Sequence, residues 1–581
     1  MTGINGQVAR LLQELADLTK LEDGSPQSFR VRAYEKAVGA VNEMPADVAS
    51  MSVAELVAVD GIGKSTATKI REYVDTGSIA KLEGLRASYP PELVELTRIP
   101  GLGPKTVILL RDQLGVGSVD QLRAAIESHQ LRDLPGLGAR SEEKIARSIE
   151  RLGLAGKQRR TPIIEALPVA NELVATLGAM PQVRRIEYCG SLRRFRETIG
   201  DIDILVASND PEPIMDAFVS LPMVREVLGH GTTKSAIVVS GGLQVDLRVV
   251  APAQFGAAVL YFTGSVAHNV ELRQRAIDRG WTLNEYALSD AETEEIVASR
   301  TEKSIYAALD LREIPPELRE GHGEIEAAAT GTLPRLVTEG DIRGDLHVHS
   351  TWSGDGRSDL LAMLEAAAAR GLDYVGITEH GEDLAINGLS RDEVHRQRAL
   401  IDEYRARFPD MVILHGAELN IGPDGGLDYD DDFLMEYDWC VASVHSQFEL
   451  SAARQTERLI RAMEHPAVNA IGHLTGRMIG RRPGIDIDAE AVFAAAASTG
   501  TALEINCHLD RLDIPADLLR RARTVERIRF VISTDSHHTR EFGNLRWGVR
   551  NARRGWVEKR QVVNTWPAER FLKWAADKRT R

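Results

Sequence analysis

The stretch "YCGSLRRFRETIGDIDILV" (188–206) begins as a strand, runs into Gly190–Ser191, passes a basic patch and enters a second strand at "GDIDILV". Period-two alternation puts Asp201 and Asp203 on one face of that second strand. Two carboxylates so close repel unless cations lie between them. A third, Asp246, interrupts the apolar run "LQVDLRVV" (243–250), which reads as a neighbouring strand. Three carboxylates on adjacent strands make an oxygen-rich site for two Mg²⁺ ions, able to activate a hydroxyl and neutralise a departing pyrophosphate. A lone D-x-D is ordinarily a solvated strand end. The Gly-Ser upstream and the third aspartate argue against that here.

Toward the N-terminus, three related segments recur: "LVAVDGIGKSTATKI" (56–70), "LTRIPGLGPKTVILL" (96–110) and "LRDLPGLGARSEEKI" (131–145). Each joins apolar residues to a G-x-G turn (Gly61/Gly63, Gly101/Gly103, Gly136/Gly138) and then to a helix, with Lys64, Lys105 or Arg140 close behind. Glycine permits positive φ and close approach, and a turn entering a helix leaves backbone N–H groups free for phosphate. Any single copy could be a plain helical hairpin; three copies favour binding of a phosphate backbone. Residues 5–41 carry the periodicity of two amphipathic helices.

Toward the C-terminus the texture changes after the Ala/Gly-rich stretch 323–340. Eleven of the fifteen histidines lie beyond it. Seven short apolar runs recur, "DLHVH", "YVGIT", "VILHGAE", "WCVASVH", "NAIGH", "ALEIN" and "RFVIST", separated by helical segments such as "DLLAMLEAAAARG". That alternation predicts a parallel βα barrel. Nearly every run ends on a candidate ligand: His347 and His349, His380, Glu418, His445, His473, then Asp535 and His537. Such positions converge on the C-terminal face of a barrel. With Asp355, nine candidates exceed what one ion can use, so two or three Zn²⁺ or Mn²⁺ ions are expected, making hydroxide and bracing a phosphate. Arg477, Arg481 and Arg482 follow His473 and either meet phosphate oxygens or form a solvated loop.

The bulk numbers bound this reading. A chain of 581 residues calls for several domains, and 43% apolar with 27% charged residues is an ordinary soluble composition. No window is long and apolar enough to span a membrane, and Met1 is not followed by an export leader, so no membrane association is expected. Three scattered cysteines, Cys189, Cys440 and Cys507, suit a reducing compartment without a disulfide frame. The net charge of −15 argues only weakly against nucleic acid, because residues 1–160 are nearly balanced and part of the excess is metal-binding carboxylate.

The three G-x-G segments resemble the helix-hairpin-helix motif of DNA repair proteins. Residues 1–85 resemble the small N-terminal domain of the family X DNA polymerases, where a lysine forms a Schiff base in members with lyase activity; Lys69 matches that position. Residues 160–320 resemble the family's nucleotidyltransferase palm. The resemblance implies that Asp201, Asp203 and Asp246 are catalytic, and that Ser191 and Arg194 hold an incoming triphosphate that Gly190 lets approach. In "YFTGS" (261–265), Tyr261 and Phe262 would crowd out a ribose 2′-hydroxyl beside Gly264 and Ser265. Asn269 would contact the new base and Arg273 the template strand. Gln244 departs from the arginine of well-known eukaryotic members. The last third resembles the PHP domain of bacterial family X polymerases, with H-x-H, G-x-E and T-D-x-H elements. It departs at Glu379, where Asp is frequent, and at Asp355, which falls slightly late.

The expected architecture is multidomain: an all-α helix-hairpin-helix region (1–85 and 86–157), an α/β nucleotidyltransferase palm (158–255) with a thumb-like subdomain (256–322), a linker (323–340) and a distorted (β/α)7 PHP barrel (341–581). The expected partners are gapped or primed DNA and dNTPs, with Mg²⁺ or Mn²⁺ in the palm. A cytoplasmic, nucleoid-associated monomer is expected. The barrel would trim 3′ ends that the palm cannot extend, with abasic-site cleavage open. A small-molecule phosphatase barrel fused to a DNA-binding front and a non-catalytic end-binding scaffold are the alternatives.

Overall fold

The computed structural model describes residues 4–580 apart from 26, 45–46, 60, 98, 100, 152–159, 240–241 and 385. The chain forms two compact units, one holding residues 1–160 with 239–242 and 480–483, the other 161–238, 243–479 and 484–581.

The first unit is helical. The helices Ile4–Asp23 and Phe29–Glu43 pack with Lys64–Thr76 around Leu12, Leu15, Tyr34, Ala67 and Ile70. A second core gathers Leu96, Val107, Leu110, Leu122 and Ile145, and Leu21 from the first helix enters it. The two glycines of each G-x-G turn divide the work. Gly61, Gly101 and Gly136 sit at φ +91°, +93° and +82°, where a β-carbon is strained. Gly63 and Gly103 are the extended N-caps of the helices Lys64–Thr76 and Pro104–Leu114, and the Gly138 carbonyl accepts from Glu142 in the third copy.

In the second unit a five-stranded sheet comes first: β1 (Arg185–Tyr188), β2 (Asp201–Ala207), β3 (Val224–His230), β4 (Lys234–Val239) and β5 (Gln244–Val250), in the order β1-β2-β5-β4-β3. β2 and β5 run parallel, while β1–β2 and β4–β5 are antiparallel. The helices Phe255–Thr263 and Val266–Ile277, a small sheet (Trp281–Leu283, Leu288–Asp290, Ile296–Ala298) and the helix Glu302–Ala308 follow. The stretch 323–340, expected to be a linker, holds the helix Glu324–Thr330, and its Ile325 and Ala328 pack in the core of that subdomain. Glu324 is buried because it accepts from His268, whose other ring nitrogen meets the Tyr306 hydroxyl.

Seven parallel strands complete the unit: β6 (Gly344–Val348), β7 (Tyr374–His380), β8 (Val412–Asn420), β9 (Trp439–Ser443), β10 (Val468–Ile471), β11 (Ala502–Asn506) and β12 (Phe530–Ser533). They pair in sequence order, and a parallel bridge from Val348 to Ser536 all but closes the ring. Both faces of these strands are covered, so they read as continuous apolar runs rather than alternations. At the N-terminal end of the ring Tyr374 stacks on Phe571 at 4.6 Å, and Trp439 and Trp566 join them, so the helix Ala568–Arg579 plugs that end. The strand-end histidines and carboxylates lie at the opposite end. All three cysteines are free and buried, and among the described residues no helix is long and apolar enough to cross a membrane.

Candidate active sites

In the sheet, parallel pairing of β2 with β5 sets Asp203 directly opposite Asp246, and Asp201 opposite Gln244. Burial pushes the Asp203 carboxyl up to about 7, with Asp201 and then Asp246 adding to it. The Gln244 side chain donates to Asp246 at 2.7 Å, and Lys234 lies 3.6 Å from the same carboxylate. Gln244 therefore steers Asp246 by a neutral amide. Gly190 opens a short helix (Gly190–Arg193) at φ +62°, and a β-carbon there would stand 2.5 Å from Asp203 Oδ2. The carboxylate itself therefore requires a glycine at this position. Ser191 is half-buried in the same turn.

The remaining predicted palm residues gather around the helices that follow. Arg194 donates to the Thr263 carbonyl and pairs with Glu320 at 3.0 Å, beside Gly264. Tyr261 is partly exposed and meets Phe262 edge-on at 5.1 Å, while the Arg248 guanidinium covers Phe262 at 4.8 Å. Asn269 donates to the Tyr261 carbonyl at 2.7 Å, and one turn on Arg273 Nε donates to the Asn269 carbonyl at 3.3 Å. Sequence reasoning missed Arg193. It meets Glu302 with both guanidinium nitrogens at 2.7 and 2.9 Å and Thr263 at 2.7 Å, fastening the palm to the subdomain after it.

At the open end of the ring all nine predicted ligands form one connected network. Glu418, ending β8, is its hub. One oxygen meets His473 Nε2 at 2.9 Å and His445 Nε2 at 3.1 Å; the other meets His380 Nδ1 at 3.0, His347 Nε2 at 3.4 and His349 Nε2 at 3.5 Å. Asp535 Oδ1 lies 3.6 and 3.5 Å from His347 and His349. Asp355 meets His380 Nε2 at 3.2 Å and His537 Nε2 at 3.5 Å. Ligand atoms about 2 Å from a shared ion are separated by such distances. Buried His347 Nε2, His349 Nε2 and His380 Nδ1 face these carboxylates without a properly directed hydrogen bond, although polar atoms this deep are normally satisfied. Imidazole and carboxylate donors so arranged fit divalent cations. His473 at φ +23° and Asp535 at φ +56° hold unusual backbone for non-glycine residues, as functional positions often do.

The metal-free electrostatics tell the same story. Burial lowers His347, but Glu504, Asp535 and Glu418 outweigh it and hold the imidazole well above its ordinary range. His349 falls to about 3, chiefly through burial and then through His537 and His380. Burial works against His380 too, yet Glu418 and Asp355 raise it to about 10. Asp535 and Glu418 are pulled far below ordinary carboxylates by the surrounding imidazoles despite their burial.

A second layer orients these side chains, and the sequence showed little of it. Glu504, inside β11, accepts from His347 Nδ1 at 2.7 Å and from the His473 backbone at 2.7 Å. The Asn420 side-chain Oδ1 meets His445 Nδ1 at 2.7 Å, and its Nδ2 donates to Asp428. Such partners fix which imidazole nitrogen faces the centre. The signal for Glu504 was its charge in an apolar strand, "ALEIN". Glu379 points elsewhere: it takes both Ser350 N–H and Oγ–H, the Ser353 amide and Gln397. Arg477 is committed to Glu197 at 2.9 Å and to the Arg511 and Leu512 carbonyls, so it is held in place and not a solvated loop cation. Arg481 is exposed and Arg482 half-buried.

In the helical unit, Lys69 Nζ donates to Ser65 Oγ at 2.8 Å and lies 5.8 Å above the Tyr34 ring; burial holds its ammonium below the ordinary value.

Over 561 residues, 96% of this chain and 96% of the relative, the sequence is 38% identical to the DNA polymerase/3'-5' exonuclease PolX of Bacillus subtilis. The chain belongs to the family X DNA polymerases. Its helical unit matches a helix-hairpin-helix domain at 4–79 and a SAM-like helix-hairpin-helix tandem at 93–151. Residues 258–320 match the DNA polymerase beta thumb, and 345–508 the PHP domain. Among family X relatives, rat DNA polymerase lambda is 26% identical over 53% of this chain and 56% of its own length. A probable phosphatase of Acetivibrio thermocellus is 30% identical over 35% of this chain and 82% of its own length.

Proposed function

We propose that this family X member is a DNA-templated DNA polymerase that fills short gaps in repair, and that its barrel removes nucleotides from 3′ ends. The polymerase reading is carried by the juxtaposition of Asp203 and Asp246 on parallel β2 and β5, with Asp201 one pleat away. These three would hold Mg²⁺ or Mn²⁺, which supplies the activation of a primer 3′-hydroxyl and the neutralisation of pyrophosphate. Around them the protein's own groups bind and orient. Ser191 and Arg194 lie in the turn after β1 to receive the triphosphate, with Gly264 against Arg194. Tyr261, Phe262, Asn269 and Arg273 form the wall proposed for the sugar, the new base and the template.

The nine barrel residues would hold two or three Zn²⁺ or Mn²⁺ ions, which supply hydroxide and brace the scissile phosphate. Glu504 and Asn420 orient the imidazoles in that reading. The glycines of the three hairpins offer backbone N–H groups to phosphate, and Lys69 is the candidate lyase amine. We take residues 1–85, 86–157, 158–255, 256–322 and 341–581 as the working domains, acting as a monomer on nucleoid DNA in the cytoplasm. The phosphatase relative of the barrel favours one competing reading, hydrolysis of small phosphorylated metabolites. A gapped, 5′-labelled primer with Mg²⁺ or Mn²⁺ should be extended when dNTPs are present and shortened when they are not. A protein that leaves the primer untouched but hydrolyses sugar phosphates would overturn the proposal.

A further inference from the structure

The turn that carries Ser191 and Arg194 is strained, and part of what holds it comes from the barrel. Phe195 sits at φ +58°, a left-handed conformation unfavourable for an aromatic residue. Such a residue persists only where its surroundings over-determine it. Its fully buried ring stacks on Trp547 at 5.7 Å and 15°, and the Arg550 guanidinium covers it at 4.6 Å. Arg550 also donates to the Arg193 carbonyl at 2.6 Å and to Glu317 at 3.2 Å, and Arg553 meets the same Glu317. At the far end of the turn, Arg477 grips Glu197.

Trp547, Arg550 and Arg553 lie on the helix Leu545–Arg554, which is itself fixed. A β-carbon at Gly548 would stand 2.3 Å from Cys507 Sγ and 2.8 Å from Ile532, so this helix packs directly on β11 and β12. Asn551 adds hydrogen bonds to the Leu512 and Ile514 carbonyls. Residues outside the barrel supply the other restraints: the Cys189 amide donates to the Asp203 carbonyl and the Ile163 amide to the Glu197 carbonyl, while Arg193 pairs with Glu302 and Arg194 with Glu320. Between those two points, the carbonyl of 193 and the ring of 195 take their partners from the barrel helix.

We infer that Trp547 and Arg550 of the barrel are positioning residues for nucleotide binding in the palm: they hold the Gly190–Glu197 turn so that Ser191 and Arg194 face the triphosphate. This rests on the polymerase reading above. Released from its clamp, the turn relaxes toward ordinary φ at Phe195 and carries the residues on either side of Arg193 out of register. The three aspartates, on β2 and β5, keep their places. The expected signature is therefore a defect in nucleotide affinity rather than in turnover.

The test uses the full chain with Trp547→Ala, Arg550→Ala, Trp547→Phe and, from the palm side, Phe195→Leu. Single-nucleotide gap filling should show KM for dNTP raised about tenfold or more in the two alanine variants and in Phe195→Leu, with kcat within about threefold of wild type. Trp547→Phe, which keeps a stacked ring, should restore KM, and 3′-end hydrolysis should be unchanged in all four. The inference is overturned if KM stays within about twofold of wild type in variants that extend the primer, or if kcat and hydrolysis fall together with KM, as general unfolding would make them do. A variant that does not fold is replaced by Phe195→Leu, which leaves the barrel helix intact. A wild-type protein unable to extend the gap would instead sink the polymerase reading itself.

Discussion

A methyl group added at Gly190 would lie 2.5 Å from an Asp203 oxygen, on a backbone already at φ +62°. Either the turn or the carboxylate must move. Gly190→Ala should therefore cut primer extension by roughly a hundredfold, the scale of an ångström's misplacement at a reacting centre, while leaving 3′-end hydrolysis intact. Extension at wild-type rate would remove Gly190 and Asp203 from the site. In the barrel, Glu504→Gln keeps the shape but weakens the charge that orients His347, and metal affinity should fall by about ten- to a hundredfold. Competition with a chromophoric chelator measures this directly, and unchanged affinity would make Glu504 a bystander. The residue scale is also where the sequence was uneven. Histidines at strand ends announce themselves, because register alone brings them to one face. Glu504 lies within its strand, and nothing in "ALEIN" tells whether that carboxylate meets a histidine or a solvated edge.

Glu302, at the start of the helix Glu302–Ala308, shows how elements are fastened to one another. It receives Arg193 from the palm and Arg319 from beyond its own helix, and although burial pushes its carboxyl up, Arg319 and Arg193 hold it at about 2. A carboxyl depressed from 4.5 contributes stability that is complete above pH 4.5 and lost as pH falls toward 2, roughly 3 kcal/mol at most. Glu302→Gln should thus melt lower than wild type at pH 6, and the gap should narrow between pH 4.5 and 2.5. Calorimetry across that range, finding a constant gap, would show that the pair does not titrate with folding. At this scale the sequence was most readable where a periodic pattern met a chemical one, as in the seven strands and the G-x-G turns. It was least readable between distant elements. Residues 323–340 looked like a linker because alanine and glycine say nothing about what a helix packs against. The helix Leu545–Arg554 gave no sign that Arg550 reaches the Arg193 carbonyl, a contact 357 residues away in the chain.

Across the whole molecule, the two centres share one compact unit but no ligand: the palm draws on β2 and β5, and the barrel on the strands and loops from β6 onward. Their chemistry should separate cleanly. Asp246→Ala leaves Asp203 without its partner across the parallel pair, so extension should fall below detection while nucleotides are still released from 3′ ends. His349→Ala should do the reverse. His349 lies within 3.5 Å of both Glu418 and Asp535, and its ring stacks on His537 at 4.3 Å, so its loss opens the middle of the network. Elemental analysis should find fewer divalent ions per chain in His349→Ala than in wild type, with none lost in Asp246→Ala after dialysis against weak chelator. The clamp from the barrel helix makes the separation informative, because it transmits through packing rather than through metal. Leu545–Arg554 rests on Cys507, Ile532 and the Leu512 and Ile514 carbonyls, none of them a ligand. Emptying the barrel centre should therefore leave KM for dNTP where it was. If His349→Ala raised that KM as far as Arg550→Ala does, the two centres would be coupled through the metal network, and their independence would be wrong.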